Sequence, residues 1–260
     1  MKAIILAAGQ GTRLKKYTEN LPKGMLSFMD RTIIERQIAL YRAAGIDRII
    51  IVRGYAADKI AYEGVTYYDN EDYANTNMVV SLLAAAPEFD DDVVVSYSDI
   101  LFEEGMLKKM MDSAAEVSVA VDDDWATYWQ KRYGRTDFDT ESLCFDAEDH
   151  ITELGLEDPP AERIQARYIG LLKFSKAALA LVRETMDRAA AEFGDRPWQQ
   201  SGKTVRKAYM TDLLNALIQA GHPVTAVHFN HGWIEFDTNE DYEQALSWAQ
   251  DGSLEEVIRL

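Results

Sequence analysis

The chain has 260 residues, 47% of them hydrophobic, and a formal net charge of −17. That length suits one substantial core, while the excess negative charge argues against nucleic acid or an anionic bilayer as a partner. No apolar run is long enough to span a membrane, and the lone Cys144 leaves no disulfide framework and reads as a small core residue.

Residues 3–6 form a continuous apolar run and read as a buried strand. The apolar stretch at residues 4–8 is too short for a secretory leader and passes straight into a glycine loop, so a cytoplasmic location is expected. Residues 32–44 read as an amphipathic helix stopped by Gly45, and residues 47–52, with Ile49-Ile50-Ile51-Val52, as a second strand. Residues 65–68 follow as a strand, 75–86 as a helix, 92–97 as a strand with three consecutive valines, 104–114 as a helix and 116–121 as a strand. Strands that are apolar throughout and separated by helices are buried on both faces, which predicts a mostly parallel sheet in a three-layer α/β/α, Rossmann-like fold.

Beyond residue 122 the pattern changes. Residues 143–145 and 151–154, joined by the polar turn 146–149, read as a β-hairpin. A polar loop with Pro159-Pro160 precedes a strand at 168–174. Long helices are expected at 176–193 and 203–220, the second stopped by Gly221. Short strands at 224–228 and 232–236 and two terminal helices complete the chain. No linker or repeat interrupts residues 1–260, so one domain is expected, too short to carry a large appended module.

The string Leu6-Ala7-Ala8-Gly9-Gln10-Gly11-Thr12-Arg13-Leu14 follows the first strand directly. Glycines there let backbone N–H groups point into a concavity that suits phosphate oxygens, and Arg13 adds a bidentate fork. A P-loop would need Gly-Lys-Ser/Thr, but Gly11 is followed by Thr12-Arg13; the dinucleotide fingerprint fails at Leu14. Residues 7–14 together with Leu21-Pro22-Lys23 resemble the A-A-G-x-G-[ST]-R and P-K signature of nucleoside-triphosphate transferases, the superfamily of sugar-nucleotide enzymes and phosphocholine cytidylyltransferases. The resemblance implies a GT-A-like nucleotidyltransferase fold, with residues 1–121 as the NTP-binding half and 122–260 as the acceptor-binding half. It also implies that Leu6, Ala7, Ala8, Gly9, Gln10, Gly11 and Thr12 wrap the triphosphate. Arg13 would contact the departing pyrophosphate, and Lys23 the reacting phosphates.

Ser98-Asp99 ends the valine-rich strand, where ligands of open parallel sheets gather. An acidic residue there is placed to hold a hard cation, which nucleotidyl transfer needs to neutralise phosphate charge. Glu235 and Asp237 lie two apart on a strand-like segment and so share a face. By resemblance, Asp99 and Asp237 bind Mg²⁺, with Glu235 a weaker third. A competing reading makes Asp237 the N-cap of the helix that follows.

The strings Tyr68-Asp69-Asn70 and Asn75-Thr76-Asn77-Met78-Val79-Val80-Ser81-Leu82 resemble cytidylyltransferases for phosphocholine and phosphonates more than hexose-1-phosphate enzymes. The resemblance implies CTP as donor, with Asn70, Asn75, Ser81 and Ser98 at the nucleotide. Asn75 alternatively caps its helix. The implied acceptor is a small phosphonate or phosphomonoester such as 2-aminoethylphosphonate, phosphocholine or phosphonoformate. Asp122 and Trp125, with Trp129, either enclose a cationic head group or form a solvated acidic loop over packed tryptophans. Lys131, Arg132, Arg135, Arg167 and Lys207 are the cations nearby for a phosphonate or carboxylate. Tyr168 and Asp212 belong to the family-like strings at 168–171 and 208–214. The Met- and Trp-containing helices of the second half could support a homodimer. His228 and His231 read as surface or loop residues. The rival within enzymes is a sugar-1-phosphate nucleotidylyltransferase using UTP, dTTP or GTP.

Overall fold

The computed structural model describes residues 1–260. The chain starts with strand β1 (Lys2–Ala7) and, after the glycine loop, a single helical turn, α1 (Lys15–Thr18). A two-residue ribbon, β2 (Ser27–Phe28) and β3 (Arg31–Thr32), turns at Met29 and Asp30 and feeds α2 (Ile33–Ala43). The Thr32 hydroxyl accepts from the Glu35 amide at 3.1 Å, a cap that fixes where this helix begins. Next come β4 (Ile49–Arg53), β5 (Thr66–Asp69), α3 (Met78–Ala84), β6 (Val93–Tyr97), β7 (Ile100–Phe102), α4 (Glu104–Asp112) and β8 (Val117–Asp122). The second half holds α5 (Trp125–Tyr133), the hairpin β9 (Glu141–Phe145) and β10 (Ile151–Glu157), then β11 (Arg167–Phe174). It closes with α6 (Lys176–Phe193), α7 (Met210–Gln219), β12 (Thr225–Phe229), β13 (Trp233–Glu235) and α8 (Asn239–Asp251).

Seven strands form the central sheet in the order β12-β8-β11-β6-β1-β4-β5. All pairs are parallel except those of β11, which runs antiparallel to both β6 and β8. Alternation along each strand sends successive residues to opposite faces. Ala3, Ile5, Ile49, Ile51 and Val94 meet α2, α4, α5 and α8 on one face. Ile4, Leu6, Ile50, Val52, Val93 and Val95 meet α3, α6 and α7 on the other. Two apolar layers either side of one sheet explain why these strands read as unbroken apolar runs. No helix is long and apolar enough to cross a membrane.

The elements differ from the sequence reading in identifiable places. The helix expected at 75–86 begins at Met78, because the Asn77 side chain takes the Met78 amide at 2.9 Å. Asn75 lies outside the helix and is no cap; its side-chain amide donates to Asp72 at 2.8 Å. The helix expected from residue 203 begins at Met210, after a 3-10 turn (Val205–Lys207). There the Asp212 carboxylate accepts from the Tyr209 amide at 2.8 Å and closes the N-terminus. The second terminal helix is a 3-10 turn (Ser253–Glu256). Helix α5 and strand β7 were not foreseen.

Topology brings one rim of the sheet together. The carboxyl ends of β1, β4, β6 and β8 open there, and the reversed direction of β11 brings its first residues, Arg167 and Tyr168, to the same rim. At the opposite rim Glu88 is buried with Lys2 at 2.8 Å, the Tyr68 hydroxyl at 3.0 Å and Arg48 in hydrogen-bonding contact. Hydrogen bonding from Arg48, and then from Lys2 and Tyr68, overcomes burial and pulls its carboxyl down from 4.5 to about 2. A depressed carboxyl contributes stability that is present above its unfolded value and lost as pH falls through its folded one. Glu88→Gln is expected to lower the unfolding free energy by about 2 kcal/mol near neutrality, discounting the half-exposed Arg48. The gap to wild type in urea unfolding should close between about pH 4.5 and 2; a gap that persists there removes Glu88 as its cause.

Candidate active site

Residues 8–14 bend over the end of β1. Gly11 takes a left-handed conformation (φ 64°) ahead of the 3-10 turn (Thr12–Leu14). The fully buried Leu14 and the Thr18 hydroxyl, 2.9 Å from the carbonyl oxygens of both Gly11 and Leu14, pin the loop from below. A Cβ built on Gly11 would stand 3.1 Å from Cβ of Lys23, so this glycine lets the lysine pass against the loop.

Lys23 follows Pro22 in a 3-10 turn (Lys23–Met25). A Cβ on Gly24 would lie 2.7 Å from the Ile34 side chain and 2.9 Å from Cβ of Ser98. Only glycine lets this turn press onto the end of β6, and that closeness carries the Lys23 ammonium to Asp99. Its Nζ lies 2.6 Å from Oδ2 of Asp99 and 2.5 Å from Oδ1 of Asp237. Arg13 Nη2 also approaches Asp237 Oδ1, at 3.1 Å. Burial works against the ammonium, yet the facing carboxylates of Asp99 and Asp237 raise its pKa above the ordinary lysine value. Burial likewise penalises Asp237, but Lys23 and then Arg13 hold its carboxyl down at about 2.

The backbone locks the two carboxylates to each other. Strand β13 pairs antiparallel with β7, and the Phe236 amide donates to the Asp99 carbonyl at 3.0 Å. Thr238, not Asp237, caps α8: its hydroxyl accepts from the Asp241 amide at 3.2 Å. Asp237 is therefore left free to face the cleft. Behind it, buried Arg132 donates to Asp241 at 2.8 and 2.7 Å and pairs with Glu235. Asp241 in turn accepts from the Asp237 amide at 3.1 Å. Glu235 lines the cleft, and burial raises its carboxyl to about 7 even though Arg132 faces it.

These groups stand in a cleft of about 560 Å³ along the sheet rim. Of the residues proposed at the nucleotide, Leu6, Ala8, Gly9, Gly11, Thr12, Ser81 and Ser98 line it. Ala7 does not, because its side chain is buried in the core, and Gln10 is exposed outside the cleft. Asn70 stands behind the wall, donating to Ser81 at 3.0 Å and Thr76 at 2.9 Å. Asn75 is exposed and absent from the lining.

The acceptor residues named from sequence mostly serve the fold. Asp122 is fully buried and accepts from the Trp233 indole at 2.8 Å and the Asp124 and His231 amides. Trp125 packs edge-on against Trp129 rather than facing the cleft. Lys131 pairs with Glu256 at 2.8 Å, over the Trp248 ring. Arg132 is spent on Glu235 and Asp241, Lys207 is exposed away from the cleft, and Asp212 caps α7. Tyr168 alone of that set lines the cleft; its hydroxyl donates to that of Tyr97 at 2.9 Å. Arg167, read only as a nearby cation, lines the cleft, as do Asp139, Glu141, Glu157, Asn77 and Tyr209, which went unread. Alternation places polar residues on one face of a hairpin but does not say whether that face meets solvent or a cleft.

A family model described as the MobA-like NTP transferase domain matches residues 3–257. The chain is 34% identical over 254 residues to the CTP:phosphoglutamine cytidylyltransferase of Campylobacter jejuni, covering 94% of this chain and 98% of that protein. It is 33% identical over 171 residues to the choline-phosphate cytidylyltransferase of Streptococcus pneumoniae, covering 63% and 73%. Among solved structures, CTP:phosphocholine cytidylyltransferase from S. pneumoniae superposes with a TM-score of 0.74 at 22% identity, over 95% of this chain and 98% of that one. That likeness shows the fold.

Gly24→Ala is expected to cost about 1–3 kcal/mol, the scale of forced overpacking. Urea unfolding checks it. Unchanged stability would mean that the turn and Ser98 part without strain.

Proposed function

The chain belongs to the MobA-like NTP transferase domain family and is a nucleotidyltransferase; from that premise we propose that it moves CMP from CTP to a small phosphorylated or phosphonate acceptor. The observation that carries this reading is the meeting of Lys23, Arg13, Asp99 and Asp237 beneath the glycine loop. The naming of its relatives for CTP and for phosphoglutamine or phosphocholine supports the choice of nucleotide and acceptor class.

An ionised oxygen of the acceptor attacks the α-phosphorus of CTP. The new P–O bond forms as the bond to the β-phosphate oxygen breaks, and pyrophosphate leaves. No side chain has to remove a proton, because the acceptor oxygen is already ionised near neutral pH. What the site supplies is alignment and charge. Backbone amides of residues 9–12 suit the triphosphate, Arg13 the leaving pyrophosphate, and Lys23 the α-phosphate.

Mg²⁺ fits this chemistry. Asp99 and Asp237 would hold it, and Oδ1 of Asp99 is buried with no hydrogen-bond partner. Two carboxylates completed by substrate phosphates and water form a common magnesium donor set. When bound, the ion supplies charge neutralisation at the α-phosphate and the departing pyrophosphate.

Pyrophosphate release tests the reading, with CTP, UTP, dTTP, ATP and GTP each offered phosphocholine, 2-aminoethylphosphonate, amino-acid phosphates and glucose-1-phosphate. Release with CTP and a small phosphoester or phosphonate is the expected result. Release only with glucose-1-phosphate would move the chain to the sugar-nucleotide enzymes. Lys23→Ala and Asp99→Asn should each cut turnover at least roughly a hundredfold with the fold intact by circular dichroism, the scale of a lost transition-state charge contact. Near-wild-type turnover in either variant contradicts these roles.

A further inference from the structure

Arg167 is a cation for which the chain provides no counter-ion. It is 9% exposed, lines the cleft at the start of β11, and forms no ion pair within the chain. Its Nε and Nη1 are buried with no hydrogen-bond partner. The guanidinium lies 4.6 Å over the Trp129 ring, which fixes its plane and shields one face from water. Burying such a group unpaired is costly, and a planar oxyanion is what its fork is shaped to accept.

The hairpin presents the opposite charge. Glu141 and Glu157 are register partners directly across β9 and β10, both line the cleft, and neither is hydrogen-bonded or ion-paired through its side chain. Like charges set opposite on antiparallel strands repel, and a cation between them removes the repulsion. Asp139 adds a third carboxylate to the same lining. The Tyr97–Tyr168 hydroxyl pair links this wall to the reacting end. Both phenols are raised by burial first, with Glu141 and Asp99 adding to the effect.

We propose that the acceptor is a phosphorylated amino acid: its carboxylate sits in the fork of Arg167, its ammonium between Glu141 and Glu157, and its phosphate at Lys23. This rests on the reading of the chain as a CMP transferase. The reacting phosphate already has Lys23 and Arg13, which leaves Arg167 for a second anion. An acceptor carrying only an ammonium would leave Arg167 unpaired, and one carrying only a carboxylate would leave the two glutamates facing each other.

The experiment is pyrophosphate release from CTP with O-phosphoserine and O-phosphohomoserine, each beside its counterparts lacking the carboxylate or the ammonium, with phosphocholine and 2-aminoethylphosphonate alongside. Wild-type kcat/KM is expected to be roughly tenfold or more higher for an amino-acid phosphate than for either counterpart. Arg167→Gln should erase the preference for the carboxylate, and Glu141→Gln with Glu157→Gln the preference for the ammonium. CTP binding by calorimetry verifies that each variant is folded. The wild-type comparison decides the matter even if Arg167→Gln does not fold. Preference for phosphocholine, 2-aminoethylphosphonate or a counterpart lacking either group overturns the inference and leaves CMP transfer standing. No pyrophosphate from any acceptor overturns both.

Discussion

One ammonium group ties the molecule's chemistry to its fold. Lys23 reaches Asp99, 76 positions along the chain, and Asp237, 214 positions along it, at 2.6 and 2.5 Å. Two carboxylates drawn together in a half-dry cleft repel unless a cation lies between them. The packing of Gly24 on Ser98, the hydrogen bond from Phe236 to Asp99 and the capping of α8 by Thr238 all serve that meeting. Arg132 extends the alternation of charge one layer deeper, through Asp241 and Glu235. Each carboxylate in the row therefore has a cation beside it, and each cation has its place fixed by buried backbone.

The cleft owes its two-sided character to strand direction. Parallel strands deliver their carboxyl ends to one rim, the usual seat of ligands in such sheets. Because β11 runs the other way, the rim also receives the beginning of a strand, bringing Arg167 and Tyr168 opposite the glycine loop. Triphosphate-binding features come from the first hundred residues, and the wall facing them comes from β11 and the hairpin.

What sequence could and could not reveal follows from this arrangement. Lys23 was legible because a rigid loop needs fixed spacing between Gly9, Gly11, Arg13 and Pro22, and that spacing survives in the linear string. Asp99 was legible as the acidic residue at the end of an unmistakable buried strand. Asp237 carried two readings, and the hydroxyl of Thr238 settles which of them the helix uses. The acceptor wall was misread because its chemistry depends on partners distant in sequence. Nothing beside Asp122 announces that Trp233, 111 residues later, will donate to it. Nothing beside Arg132 shows that Glu235 and Asp241 will enclose it, and nothing beside Arg167 shows that no carboxylate will. A free charge and a spent one look the same in one dimension.

The position of β11 also orders events during synthesis. Strands β5, β4, β1 and β6 all lie within the first 97 residues and can pair as soon as that stretch is available. The sheet then stops at the open edge of β6. Strand β8, although made next, has no neighbour in that edge and joins the sheet only through β11, which ends at Phe174. An unpaired apolar strand must therefore wait for some fifty further residues, the interval in which a nascent chain is most open to mispairing and to chaperone capture. The same strand that carries an arginine to the cleft is thus the keystone whose arrival ends the chain's most vulnerable stage.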